Sequence, residues 1–172
     1  LSEKDAVTLT YTGRMKVKGV TATSDAAPAA PSVTEVTTFS ELQAALSAGK
    51  DVKLMKDIEC TEEISITSGA LTIDGNDRLL IATSAIRAFK VGPSATVAFK
   101  NLALREFVSG GGPAINNSGT IVLDKCTIAN CHVNNTNGGG AIENKGKLYA
   151  VNTRFSGNYS GEIGGAINNY EG

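Results

Sequence analysis

Five carboxylates in this chain could do chemistry on a polymer if the fold brought two of them together: Asp74, Asp77, Glu106, Asp124 and Glu143. Paired carboxylates serve as general acid and base, or hold Ca²⁺. Aligned by the internal repeat described below, the five fall at different phases. No stacked column is expected to hold two of them, and each reads as a solvated surface charge. His132 is the single histidine and sits in a polar turn beside Cys131, where an imidazole reads as a surface group rather than a base or ligand. Cys126, Cys131 and His132 lack the fourth ligand and the spacing of a structural zinc site. The Gly138-Gly139-Gly140 run follows asparagines and opens no helix, so it is a corner rather than a phosphate cradle. No catalytic residue, metal or cofactor is assigned.

Two modification chemistries remain. Cysteine occurs 3 times (Cys60, Cys126, Cys131), which leaves one unpaired. Cys126 and Cys131 are close enough to bridge a turn, and the equal alternative is two buried thiols. Sequons begin at Asn116, Asn134 and Asn158, which makes them candidate glycosylation sites of a secreted protein or, equally, ordinary turn residues.

Charge is nearly balanced, with 16 Lys+Arg against 17 Asp+Glu, so the chain carries no electrostatic footprint for nucleic acid. No stretch has the roughly 18 apolar residues of a membrane-spanning helix, and no signal peptide is visible. With 19 Gly, no Trp and only 19% charged residues, the composition suits a turn-rich β-protein.

Elements that would position these groups fall into three zones. Residues 1–22 alternate as strands do (Val7-Thr8-Leu9-Thr10-Tyr11) and form an N-terminal arm. Residues 23–35 are an Ala/Pro-rich linker, stiffened by Pro28 and Pro31. Residues 36–172 begin with a helix over about 38–48: Thr38 and Glu41 form a capping box, Phe39, Leu42, Ala45 and Leu46 share a face, and Gly49 takes the left-handed position after it. From Val52 onward the period is 2, in short strands punctuated by Gly and Asn.

Those strands repeat. Ala114-Ile115-Asn116-Asn117 aligns with Ala141-Ile142-Glu143-Asn144 at an offset of 27 and with Ala166-Ile167-Asn168-Asn169 after a further 25. Val97 aligns with Ile121 at 24, and Leu71 with Val97 at 26. A period near 25 without helices predicts a solenoid, an all-β parallel β-helix whose equivalent strands stack about 4.8 Å apart. Val97, Ile121 and Leu148 are then an interior apolar column. Asn117, Asn144 and Asn169 are a ladder of amides at a turn, and Gly119 and Gly146 give a tight corner its backbone freedom. The helix closes the first coil, and the last coil is open.

Gly139-Gly140-Ala141-Ile142 with Phe155-Ser156-Gly157-Asn158, followed by Gly164-Gly165-Ala166-Ile167, resembles the repeats of polymorphic outer-membrane proteins and adhesin-like surface proteins. Leu71-Thr72-Ile73-Asp74-Gly75-Asn76, with the helix before it, resembles the opening coils of the pectin-lyase-like superfamily. The copy at Gly112-Pro113-Ala114-Ile115 and Ile128-Ala129-Asn130-Cys131 departs from the pattern. The resemblance covers about residues 36–172 and implies a right-handed parallel β-helix at a cell surface or in a secreted fibre. The expected function is therefore a non-enzymatic extracellular structural or adhesive protein that binds a surface glycan or host-cell partner; the alternative is a polysaccharide binder or lyase. The arm (Val7, Leu9, Tyr11) and the open coil add an expectation of self-association, in which the arm of one copy completes the sheet of the next in a head-to-tail filament.

Overall fold

The computed structural model describes residues 32–133, 138–161 and 163–170. The arm residues Val7, Leu9 and Tyr11, most of the linker, and Asn134 lie outside them. Chain order is β1 (Thr34–Val36), α1 (Phe39–Ser47), β2 (Val52–Leu54), β3 (Ile58–Cys60), β4 (Ile64–Ala82), β5 (Phe89–Arg105), β6 (Val108–Ser109), β7 (Ile115–Asn117) and β8 (Thr120–Asp124). Then come β9 (Thr127–Ala129), β10 (His132–Val133), β11 (Ile142–Asn144), β12 (Lys147–Val151), β13 (Arg154–Ser156) and β14 (Ile167–Asn169). All the strand pairings are parallel, and each joins equivalent positions one coil apart. This is a parallel β-helix.

Three faces wrap one core. The first face stacks β1, β2, the middle segments of β4 and β5, β8 and β12. The second stacks β3, the ends of β4 and β5, β9 and β13. The third stacks the starts of β4 and β5, then β7, β11 and β14. Alternation fills the interior with registered columns, because a period of 2 sends every second side chain inward. Leu71, Val97, Ile121 and Leu148 form one on the first face, Ile58, Leu80, Leu104, Ile128 and Phe155 another on the second. Phe89 and Phe99 meet edge to face across the core, with centroids 5.1 Å apart.

The front of the stack is closed as the sequence predicts. Thr38 accepts a hydrogen bond from the Glu41 N–H, and the Glu41 carboxylate accepts from the backbone N–H groups of Thr37 and Thr38. Those donors hold the Glu41 carboxyl below its usual range, the Thr37 N–H foremost. Helix α1 buries Leu42, Ala45 and Leu46. Gly49 then turns the chain with φ +69°.

Three local expectations change. Strand β1 begins at Thr34, inside the stretch read as linker, because Thr34 to Val36 pair with Val52 to Leu54. Residues 115–117, 142–144 and 167–169 are strands rather than corner, so the amide column lies inside the coil at the end of the third face. Gly119 and Gly146 do not have left-handed backbones; they are needed for close approach. A Cβ on Gly146 would stand 2.0 Å from the Gly119 carbonyl oxygen, and one on Gly119 would stand 2.3 Å from that of Gly92. Positive φ at the corners falls on Asn101, Lys125 and Asn152 after the first face, on Glu106, Asn130 and Gly157 after the second, and on Gly112 and Gly164 before the third. Asparagine tolerates this conformation better than most residues.

Candidate functional site

Stacking decides which polar groups meet. The inner amide column is continuous: Asn117 Nδ2 donates to Asn144 Oδ1 at 2.6 Å, and Asn144 Nδ2 donates to Asn169 Oδ1 at 2.5 Å. Asn117 Oδ1 also accepts the Gly119 N–H at 3.0 Å, and Asn144 Nδ2 reaches the Gly146 carbonyl at 3.0 Å. Asn117 and Asn144 are fully buried, while Asn169 is exposed. Their hydrogen-bonding capacity goes to the scaffold.

The cysteines lie in the core as well. Cys60, Cys126 and Cys131 are free thiols and buried. Burial pushes the Cys60 thiol up to about 12 and the Cys131 thiol up to about 11, and raises Cys126 too. A protonated, buried thiol is a poor nucleophile.

Of the sequon asparagines, Asn158 is tied into the second corner. Its Oδ1 accepts the Cys131 N–H at 3.0 Å and its Nδ2 donates to the Ile128 carbonyl at 2.9 Å. Asn116 is half-buried on the outer side of the third face, registered between Lys90 and Glu143. His132 is exposed in β10 and registered with Val108 and Tyr159.

The outer side of the first face gathers the charges. Its register aligns Glu35, Lys53, Asp74, Lys100 and Asp124 in one column, followed by Val151. This overturns the expectation that no column holds two carboxylates: Asp74 and Asp124 share one with Glu35, separated by lysines. Successive rungs about 4.8 Å apart therefore alternate in sign. Beside this column run the smaller outward residues Thr72, Ala98 and Val122, then Tyr149. Two of the acids are held by backbone. Asp74 Oδ1 accepts the Asn76 N–H at 2.9 Å and the Asn101 side-chain amide at 3.2 Å. Asp51, just before β2, accepts the Thr72 N–H at 2.7 Å.

The other candidate acids are dispersed. Asp77 and Glu106 stand at corners with positive φ. Glu143 is buried on the third face and pairs with Lys145 at 2.9 Å. That carboxylate raises the Lys145 ammonium above its usual range, and Lys145 also lies 5.0 Å from the centre of the Tyr170 ring. Arg87 ties a corner by pairing with Glu63 at 2.7 Å and donating to the Gly111 and Gly112 carbonyls. Among the described residues no three His, Cys, Asp or Glu side chains gather as a metal site, and no helix is long and apolar enough to cross a membrane. What the geometry offers is a column of alternating charges at a constant repeat, with Asp74 held by hydrogen bonds.

Parallel coils stacked in register behind a capping helix define the class. Residues 33–164 match the family model described as "Putative pectate lyase-like adhesive domain". The chain belongs to that family, and so to the pectin-lyase-like β-helices. No curated protein and no solved structure matches it.

Proposed function

We propose that this chain is a non-enzymatic adhesive module, displayed at a cell surface or secreted, whose first face holds a surface glycan. The observation that carries this reading is the column of Glu35, Lys53, Asp74, Lys100 and Asp124. Exposed ionic contacts are individually weak, at about 0–1 kcal/mol. A rigid β-helix repeats them at one spacing, so a polymer lying along the stack engages several at once and gains by effective concentration. The membership in an adhesive-domain family supports the same reading.

Beads coated with the chain should be retained under flow on glycan-bearing surfaces and released as salt rises through the range that screens exposed charges. Retention unaffected by replacing Lys53 and Lys100 with Gln would remove the charged face from the account. The head-to-tail filament belongs to the same proposal: the arm containing Val7, Leu9 and Tyr11 completes a sheet edge of the next copy. Light scattering of the whole chain and of a version without residues 1–22 tests it, and two monodisperse monomers would sink it.

A further inference from the structure

On the outer side of the first face lies a depression of about 330 Å³, lined by Val33, Asp51, Lys53, Thr72, Asp74 and Lys100. Two acids and two lysines border it, with the side-chain stems, Val33 and Thr72 forming much of its wall. None of the four charges is paired with another: the ion pairs among the described residues are Arg87 with Glu63 and Lys145 with Glu143. The two acids are positioned in advance, since Thr72 and Asn76 N–H groups each hold one oxygen of Asp51 and Asp74. Their second oxygens are not used by these bonds. Val33, which is 51% exposed, supplies an apolar wall.

Size selects among the occupants. Five rung spacings of about 4.8 Å by five residues of about 3.3 Å give the whole face roughly 400 Å². A stable protein interface needs about 800 Å² per partner, so a second copy seated here would be held weakly. The hollow sits at the lower end of the roughly 300–1,000 Å³ of ligand pockets, which suits one sugar ring. Charge then selects the ring. A purely anionic unit meets Asp51 and Asp74, and a purely cationic one meets Lys53 and Lys100. A unit with both signs finds a partner for each of its charges.

We propose that this depression binds a single saccharide unit carrying one ammonium and one carboxylate group. Asp51 and Asp74 take the ammonium and ring hydroxyls, and one of the lysines flanking Asp74 in the column, Lys53 or Lys100, takes the carboxylate. The proposal deepens the adhesive reading by naming the chemistry of what the face holds.

The test is an amide-resolved NMR titration of the whole chain with muramic acid, which carries both charges, against glucosamine, glucuronic acid and glucose. Muramic acid should give saturable shifts centred on Lys53, Thr72 and Asp74, with affinity about tenfold above either singly charged sugar. Asp74→Asn and one of Lys53→Gln and Lys100→Gln, all at outward positions, should each cost most of that preference while leaving distant amide signals unmoved. Equal affinity for glucuronic acid or glucosamine would overturn the proposal, as would the absence of saturable shifts with any sugar. Beads that are still retained under flow while the sugars fail to discriminate would refute this site alone. Selective sugar binding without bead retention would refute the adhesive reading instead.

Discussion

One inner position on the third face divides the early coils from the late ones. In the early coils it is occupied by Ile66 and Val91, and in the late coils by Asn117, Asn144 and Asn169. The corner that follows explains the change. From Val91 the chain takes five residues to reach its first-face rung at Thr96, passing through Gly92 and Pro93, whereas Asn117 reaches Thr120 in three. The tighter corner leaves the Gly119 N–H facing inward, and Asn117 Oδ1 accepts it. Two residues after Val91 stands Pro93, which has no N–H to satisfy. Early coils thus cohere by apolar burial. The late coils add a directional chain of amides, each donating to the next.

The two regions should fail differently. The largest effect is expected in the early coils: Phe99→Ala removes a fully buried ring and its edge contact with Phe89, at a cost of about 3–5 kcal/mol in urea unfolding. In the late coils Asn144→Leu keeps the bulk but breaks the amide chain, removing an acceptor of Asn117 Nδ2 and the donor to Asn169 Oδ1 and the Gly146 carbonyl. Asn117 Nδ2 keeps the Gly119 and Lys147 carbonyls. The change should cost about 1–3 kcal/mol by the same measurement. Ile66→Asn places an amide against Val91 and should be destabilising by about 1–3 kcal/mol. If it were harmless, the contrast between the regions would collapse. Gly146→Ala should cost about 1–3 kcal/mol, because its Cβ meets the backbone of the preceding coil.

Smaller effects concern protons and the cap. Cys60 and Cys131 have folded-state values raised from 9.0 to about 12 and about 11 by burial. Above pH ~9 the unfolded chain loses thiol protons that the folded chain keeps. Stability from these groups is therefore full below pH ~9 and lost as pH rises toward the folded values. Thermal unfolding followed against pH should show that decline, and Cys60→Ala should flatten it. Thr38→Ala, which removes the oxygen capping α1, should cost about 1 kcal/mol and loosen hydrogen exchange in the helix.

Much of the fold is legible because burial writes itself into period 2. Leu71, Val97 and Ile121 carry the repeat, and Thr38 with Glu41 carries the cap. The third face is less legible. Ile115-Asn116-Asn117 has one apolar residue in three and favours turns by propensity, yet neighbouring coils pull it into register. The value of Gly119 and Gly146 is also hidden, since it depends on a backbone 27 residues away rather than on local φ. As for the charged column, the offsets that stack Leu71, Val97 and Ile121 also align Asp74, Lys100 and Asp124. Two rungs separate the acids, and the lysine between them conceals the relation from a rung-to-rung comparison. The hollow beside Thr72 needs Val33, Asp51 and Lys100 from three separate segments, which no single stretch of sequence displays.

The most direct measurement passes size-defined charged polysaccharides, with Ca²⁺ present, over the immobilised chain and records both retardation and length on elution. Retardation with unchanged length is the expected result. Polymers that emerge shortened, or that pass through unretarded, would contradict a non-enzymatic adhesive β-helix.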